Sequence, residues 1–167
     1  TRFLLSQGAN PNLPTPKTGK TPIFLTLLPQ VHPDMIDLLV QYGAQVNAKD
    51  INGLTPMHHA ALKGMKSHMQ KLLNHNAQID ERASDGFTPL MMAAQKGNKE
   101  LISFLLSRGA NPNLQDYLKG RTPLLWAIRM AQAGVIKSGP SWERISIEEL
   151  VSIINEMVKH GADITIT

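Results

Sequence analysis

The chain has 167 residues, of which 42% are hydrophobic and 18% charged, with a formal net charge of +4 and no cysteine. This composition is typical of a soluble globular domain, and the lack of cysteine excludes a disulfide framework and a thiolate zinc site. No apolar run is long enough to span a bilayer. The sequence also contains no dense block of Lys and Arg that would indicate nucleic-acid binding. The sequence begins at Thr1 with no signal segment, so we expect a fragment of a longer protein.

A dipeptide recurs along the chain in phase with a second marker. Thr-Pro occurs at Thr21, Thr55, Thr88 and Thr122, at intervals of 34, 33 and 34 residues. A Gly-Ala or Asn-Ala pair recurs with nearly the same period at residues 8, 43, 76 and 109, and once more at 161. Two markers that keep phase with each other indicate a repeat architecture.

Each unit predicts a tight turn followed by two helices. A glycine two residues before the threonine allows positive φ in the turn, the threonine caps the first helix, and the proline takes the first helical position. Small pairs such as Ala60-Ala61 and Ala93-Ala94 let the two helices approach closely. The second helix carries an apolar face, as in residues 101–106, and ends at the second marker.

The first units depart from this pattern. Residues 1–12 match only the end of a second helix, so the first helix of that unit is missing. In the first complete unit, Thr26-Leu27 replaces the Ala-Ala pair, and Pro29 and Pro33 flank a longer turn between the helices.

The last unit departs most from the repeat pattern. Gly109 and Gly161 are 52 residues apart, so this unit is about 18 residues longer than a normal repeat. We place the insertion at about 132–147. Capping-box spacing between Ser146 and Glu149 predicts that the second helix restarts after Ser146. Trp142, within the insertion, either docks on the repeats or forms a second contact site.

The segment Thr55-Pro56-Met57-His58-His59-Ala60-Ala61 closely matches the ankyrin signature T-P-L-H-x-A-A. The chain resembles the ankyrin-repeat family over nearly its whole length, because it shares this motif, the repeat period and the regular positions of the glycines. The resemblance implies an all-α solenoid of helix–turn–helix units with β-hairpin-like loops and a concave binding face. We expect a single domain over residues 1–167. It would hold a partial repeat at 1–16 and repeats at about 17–49, 50–82, 83–115 and 116–167.

Two patterns that suggest chemistry are better explained by the repeat. Gly19-Lys20-Thr21 ends like a phosphate-binding P-loop, but Pro14 stands where that motif needs glycine, and proline lacks the N–H that would bind phosphate. His58 and His59 are neighbours on a helix and point about 100° apart, so they do not converge on a metal ion. The resemblance makes His58 a structural residue that hydrogen-bonds around the Thr-Pro turn. We therefore expect no catalytic, cofactor-binding or metal site.

The hairpin tips and the outer turn of the first helix are not needed for the fold, and in ankyrin-like units they line one concave surface. We expect partner contacts from residues beside the turn glycines and after the Ala-Ala pairs. These residues are Lys17, Lys20, Ile51, Asn52, Leu54, Leu62, Lys63, Ser84, Asp85, Phe87, Gln95, Lys96, Tyr117, Leu118, Lys119, Arg121, Arg129 and Met130.

Apolar and aromatic members of this set predict binding hot spots. Leu54 and Phe87 occupy the same repeat position and should be exposed neighbours, with Tyr117 and Leu118 one unit further on. Lysines and arginines flank this strip, so an acidic partner with apolar contact residues would complement it. The alternative is that Leu54 and Phe87 pack locally between adjacent hairpins.

The sequence therefore predicts a monomeric protein-interaction module without catalysis, nucleic-acid binding or membrane insertion. A second hypothesis makes the chain the recognition or targeting arm of a larger multidomain enzyme or secreted bacterial effector. A third, binding of nucleic acid or an anionic membrane through the basic rim, is disfavoured by the absence of basic clusters. We expect a cytoplasmic location, in the host-cell cytoplasm if the protein is an effector.

Overall fold

The computed structural model describes residues 2–133 and 146–165, which form helices and turns with no strand among them. The chain divides into two compact units, residues 1–78 and 79–167. The helices of the first unit are α1 (Arg2–Ser6), a 3₁₀ helix (Pro22–Leu27), α2 (Asp34–Gln41), α3 (Pro56–Lys63) and α4 (Lys66–Asn74). Those of the second are α5 (Pro89–Gln95), α6 (Lys99–Ser107), α7 (Pro123–Ala133) and α8 (Ile147–Lys159).

Helices pair and stack in the same way within each unit. In the first unit the 3₁₀ helix pairs with α2 and packs beside α3, while α2 packs beside α4. In the second unit α5 pairs with α6 and α7 with α8, and the two pairs pack α5 on α7 and α6 on α8. The predicted all-α fold of helix–turn–helix units is confirmed. That the predicted repeats form one domain stays a prediction.

Hairpin-like loops precede the first helix of each repeat, as the sequence predicts. A backbone hydrogen bond closes each loop, from Asp50 N to Leu54 O at 2.9 Å and from Ala83 N to Phe87 O at 2.9 Å. The turn glycine in the second of these loops, Gly86, has a φ of +83°. This left-handed conformation suits glycine because a side chain would strain the backbone.

The Thr-Pro dipeptides begin the first helices. Thr55 lies in extended conformation before α3, and His58 Nδ1 is 2.8 Å from its hydroxyl and accepts its backbone N–H at 3.1 Å. The structural role predicted for His58 is thus confirmed. Thr88 caps α5 by accepting the Met91 N–H at 3.3 Å. These bonds satisfy groups that a helix N-terminus leaves without intrahelical partners.

The first complete repeat differs, because its first helix is a 3₁₀ helix and Phe24 stands where the next repeat has His58. Thr21 is buried before this helix and makes no side-chain cap. Among the described residues, its hydroxyl is a buried polar atom without a hydrogen-bond partner. In the 3₁₀ turn the Phe24 N–H donates to the Thr21 carbonyl at 3.0 Å and not to the hydroxyl, and the phenylalanine side chain offers no acceptor or donor in its place.

A ladder of asparagine side chains ties consecutive repeats within each unit. Asn12 donates to the Gly43 carbonyl at 2.8 Å and accepts the Gln45 N–H at 2.8 Å. Asn113 does the same for Gly161 and Asp163, at 2.8 and 2.7 Å. The Gly-Ala pair therefore ends the second helix and also lies where the asparagine of the preceding repeat binds the backbone.

The capping box predicted for the last helix is confirmed. Ser146 Oγ accepts the Glu149 N–H at 3.1 Å, and the Glu149 carboxylate accepts the Ser146 N–H at 3.0 Å. Helix α8 starts at Ile147 and buries Ile153 and Met157. Most of the predicted insertion, residues 134–145 with Trp142, lies outside the described residues.

Candidate functional site

The hairpin tip of the last repeat holds the most exposed aromatic residue of the predicted surface. Tyr117 and Leu118 are 63% and 70% exposed. The Tyr117 N–H donates to the Asp85 carbonyl of the preceding hairpin at 2.9 Å, and a side chain at Gly86 would collide with Tyr117. The guanidinium of Arg82 lies 5.1 Å from the centre of the Tyr117 ring, at cation–π distance. The two exposed residues therefore project from a fixed backbone.

A buried carboxylate organises this tip from beneath. Asp116 accepts the backbone N–H groups of Leu118 and Lys119 at 3.1 and 2.7 Å and the Trp126 indole N–H at 2.9 Å. Burial by itself would raise the pKa of the Asp116 carboxyl, but the hydrogen bonds from Lys119, Trp126 and other backbone amides outweigh it, so the pKa is lowered. Asp116 is thus a charged structural residue.

The expectation that Phe87 stands exposed on this surface is wrong. Phe87 is only 7% exposed, and its ring lies 4.9 Å from the Trp126 ring, centre to centre. Arg121 lies over the same Trp126 ring at 5.0 Å. Phe87 therefore packs locally, as the alternative has it, but its ring contact lies on α7 of the following repeat and not on a hairpin. Leu54 belongs to the first unit and is partly exposed, and its adjacency to Phe87 stays a prediction.

The remaining predicted residues of the second unit lie at accessible positions. The exposed ones are Ser84, Asp85, Lys119 and Arg129, and the partly exposed ones are Gln95, Lys96, Arg121 and Met130. Of the first-unit residues, Lys17, Ile51, Asn52, Leu62 and Lys63 are exposed, and Lys20 is partly exposed. Their role in binding stays a prediction.

A second buried carboxylate organises the hairpin of the first unit. Asp50 accepts the N–H groups of Asn52 and Leu54 at 2.9 and 3.0 Å, and its other oxygen lies 2.8 Å from His59 Nε2. Burial lowers the pKa of His59, although the hydrogen bond to Asp50 opposes that effect. His59 and Trp126 occupy the same repeat position, four residues after the threonine, and both bond the carboxylate of their own hairpin.

Sequence reasoning missed three residues of the first unit. Leu25 and His59 stand four residues after their threonines, and Leu28 stands seven residues after Thr21, in register with Leu62. Leu25 is 61% exposed and Leu28 is also exposed. For Leu28 the repeat register is an available signal, because Leu62 and Gln95 hold the same position in the following repeats. The position of Leu25 and His59 matches none of the expected contact residues, so the register gives no signal for these two.

Other polar groups of the first unit form an ion-pair network between the second helices. Lys71 on α4 contacts Asp37 and Asp34 on α2 at 2.6 and 2.9 Å, and His75 lies 2.6 Å from Asp37. Hydrogen bonds from Lys71 and His75 lower the pKa of Asp37. Across residues 2–133 and 146–165, no three His, Asp or Glu side chains gather where they would hold a metal ion.

A pocket of about 490 Å³ lies on the last repeat of the second unit. Leu125, Ile128 and Ile154 supply apolar side chains, and Asn113 and Lys119 are among the polar residues at its edge. Within the part of the chain that the structure describes, no helix has the length and apolar character needed to cross a membrane.

Comparison with known proteins agrees with this architecture. The family model described as ankyrin repeats matches the sequence three times, over residues 1–83, 29–116 and 69–138. Together these matches cover most of the chain. No curated protein matches the sequence.

Proposed function

Since this chain belongs to the ankyrin-repeat family, a non-catalytic fold whose members generally bind other proteins, we propose that it binds a partner protein through its hairpin tips and first helices. The observation that carries the proposal is the exposure of Tyr117 and Leu118 on a fixed hairpin tip. Large apolar side chains exposed together are frequent hot spots of protein interfaces.

The backbone of this hairpin tip is held by hydrogen bonds, which favours tight binding of a partner. Asp116 fixes the backbone of Leu118 and Lys119 through two hydrogen bonds, and Tyr117 is bonded to the preceding hairpin. A surface that is ordered before binding loses less conformational entropy when the partner arrives. Mutation of the exposed side chains should therefore weaken binding without unfolding the protein.

The charged residues around the tip suggest the chemistry of the partner. Lys119 and Arg129 are exposed and Arg121 is partly exposed, whereas the carboxylate of Asp116 is buried. A partner with acidic side chains around an apolar contact would complement this arrangement. The proposal includes a monomeric chain in the cytoplasm, where a protein without cysteine suits the reducing conditions. A role as recognition arm of a larger enzyme or effector stays a prediction.

Capture of a partner from cell lysate, followed by mutation of the tip, tests the proposal. The Tyr117→Ala/Leu118→Ala variant should lose the partner that the parent captures, because it removes both exposed side chains and leaves the buried supports intact. Ile147→Ala is the matched control, since Ile147 is an apolar residue on α8 that is more exposed than either residue of the tip. A partner that the double variant retains, or that Ile147→Ala also loses, would contradict the assignment of this surface.

A further inference from the structure

The positive charge of the protein is concentrated in one of its two units. Residues 1–78 contain seven Lys and Arg and three Asp and Glu, a formal excess of +4. Residues 79–167 contain ten of each kind, so the second unit is formally neutral. The net charge of the first unit therefore attracts an acidic ligand, whereas attraction to the second unit comes only from local groups such as Lys119 and Arg129.

The three carboxylates of the first unit are already engaged. Asp34 and Asp37 lie on α2, a second helix, and both contact Lys71. Asp50 belongs to the hairpin, but it is buried and bonded to His59 and to backbone amides. Lys17 and Lys63 are exposed and Lys20 is partly exposed, and among the described first-unit residues none of the three forms an ion pair with a carboxylate.

The same elements carry exposed apolar side chains in repeat register. Leu25 and Leu28 on the 3₁₀ helix are 61% and 37% exposed. Leu62, on α3, is 40% exposed, and Ile51 at the hairpin tip is 71% exposed. Leu28 and Leu62 stand at the same position of consecutive repeats.

Contacts between the two repeats hold these side chains in one surface. The Phe24 and His59 rings meet edge to face at 5.3 Å, which sets the 3₁₀ helix against α3. The Lys63 ammonium donates to the Leu27 carbonyl at 2.9 Å, and the Ile51 N–H donates to the Thr18 carbonyl at 3.0 Å. The helices and the hairpins are thus tied together, and the leucines lie along neighbouring elements.

We propose that the surface formed by Lys20, Leu25, Leu28, Ile51, Leu62 and Lys63, here called the first-unit face, binds an acidic polypeptide segment that carries leucine-sized apolar side chains. The leucines and Ile51 receive the apolar side chains, and the two lysines attract the carboxylates. This inference rests on the proposed function and gives the first unit its own contact with an acidic part of the partner.

Equivalent positions in the next repeat along the chain, at about 83–115, do not reproduce this surface. Met92, in register with Leu25 and His59, is buried, and Gln95 replaces the exposed leucine at the position of Leu62. Asp85 is an exposed carboxylate on the hairpin of that repeat. An acidic segment would meet fewer apolar contacts and a like charge there.

Selection from a display library of random 16-residue peptides tests the inference. Peptides selected on the parent protein should be enriched in Asp and Glu together with Leu, Ile, Met or Phe. A labelled copy of the strongest binder should then lose at least about tenfold in affinity for Lys20→Glu/Leu25→Ser/Leu62→Ser, measured by fluorescence anisotropy. Added salt should weaken its binding to the parent, since exposed charges are screened.

The matched control is Ile147→Ser/Val151→Ser/Lys159→Glu, which makes the same kinds of change at exposed positions of α8. Its affinity for the peptide should equal that of the parent, and thermal unfolding should show that both triple variants remain folded. Peptides without acidic enrichment, or an acidic peptide that the first-unit variant binds as tightly as the parent, would overturn the inference. Either result leaves the proposed function to be decided by the separate capture experiment at Tyr117 and Leu118.

Discussion

At the scale of single residues, the same threonine has a different environment in each repeat. The Thr55 hydroxyl is satisfied by His58, whereas the Thr21 hydroxyl is buried beside Phe24 with no partner among the described residues. A buried hydroxyl without a hydrogen bond costs free energy because it has lost its water. The threonine hydroxyl therefore stabilises the fold at Thr55 and lowers its stability at Thr21.

Thr21→Val should stabilise the protein by about 1 kcal/mol, because valine has the shape of threonine without the hydroxyl. The free energy of unfolding in urea measures the change. Thr55→Val is the matched control and should destabilise the protein by about 1–2 kcal/mol, since it breaks the bond to His58. Equal effects of the two substitutions would contradict this explanation.

A second single-residue difference lies in the asparagine ladder. Asp80 occupies the position of Asn12, Asn47 and Asn113, and its two oxygens accept the Asn111 N–H at 3.1 Å. Burial raises the pKa of the Asp80 carboxyl, so the ionised form is disfavoured there. An ionised carboxylate also cannot donate to a carbonyl as the asparagines do.

Asp80→Asn should therefore stabilise the protein by about 1 kcal/mol, through a new hydrogen bond to the Gly109 carbonyl and the loss of a partly buried charge. The reverse substitution, Asn113→Asp, should destabilise by a similar amount because it removes the bond to Gly161. Urea unfolding of both variants at neutral pH gives the measurement. A loss of stability in Asp80→Asn would show that the carboxylate is preferred at this position.

The pair formed by Asp50 and His59 predicts a dependence of stability on pH. Burial lowers the pKa of His59 below its ordinary value, so the unfolded chain takes up a proton at a higher pH than the folded one. The contribution of His59 to the free energy of unfolding is complete above about pH 6.5, the pKa of histidine in the unfolded chain, and is lost as the pH falls below that value. The pKa of Asp50 is also lowered, against the effect of burial, by bonds to His59 and backbone amides, so its contribution is lost only in stronger acid.

His59→Gln should reduce this dependence, because glutamine keeps a donor for Asp50 but does not titrate. Between about pH 7.5 and pH 5.5, the urea midpoint of the parent should fall more than that of the variant. Parallel curves for the two proteins would mean that His59 does not contribute to acid sensitivity in this range.

At the scale of helices and loops, the sequence predicts what depends on local pattern. The threonine caps, the turn glycines and the restart of α8 after Ser146 all rest on residues within a few positions of each other. The 3₁₀ form of Pro22–Leu27 was not predicted, since Thr-Pro begins this element as it begins α3 and α5. The burial of Phe87 was missed because Trp126 covers it from the following repeat, 39 positions along the chain.

The paired groups at the hairpins show the same limit for the candidate site. Asp50 and His59 are nine residues apart, and Asp116 and Trp126 are ten apart, so helical or strand periodicity does not connect them. Comparison of the repeats makes them visible, because each pair joins one hairpin position to the fourth residue after a threonine. The repeat between them has apolar residues, Ala83 and Met92, at these two positions, so it does not show the pattern.

At the scale of the whole molecule, the two units have the same helix packing but different surfaces. The first unit holds the excess of positive charge and the exposed leucines, and the second presents an aromatic tip supported by a buried carboxylate. The sequence predicts one strip of Leu54, Phe87, Tyr117 and Leu118, with Leu62 among the further contact residues. The structure corrects Phe87 and adds Leu25 and Leu28, because exposure depends on which neighbour covers each side chain.

We propose that the chain binds a partner protein through the exposed residues of its hairpins. The most direct test is the dissociation constant of the captured partner for the parent, for Tyr117→Ala/Leu118→Ala and for Ile147→Ala. The double variant, still folded, should bind at least about tenfold more weakly than the parent, and the α8 variant should bind like the parent. Equal affinity of all three proteins would contradict the claim that the hairpin tip is the binding surface.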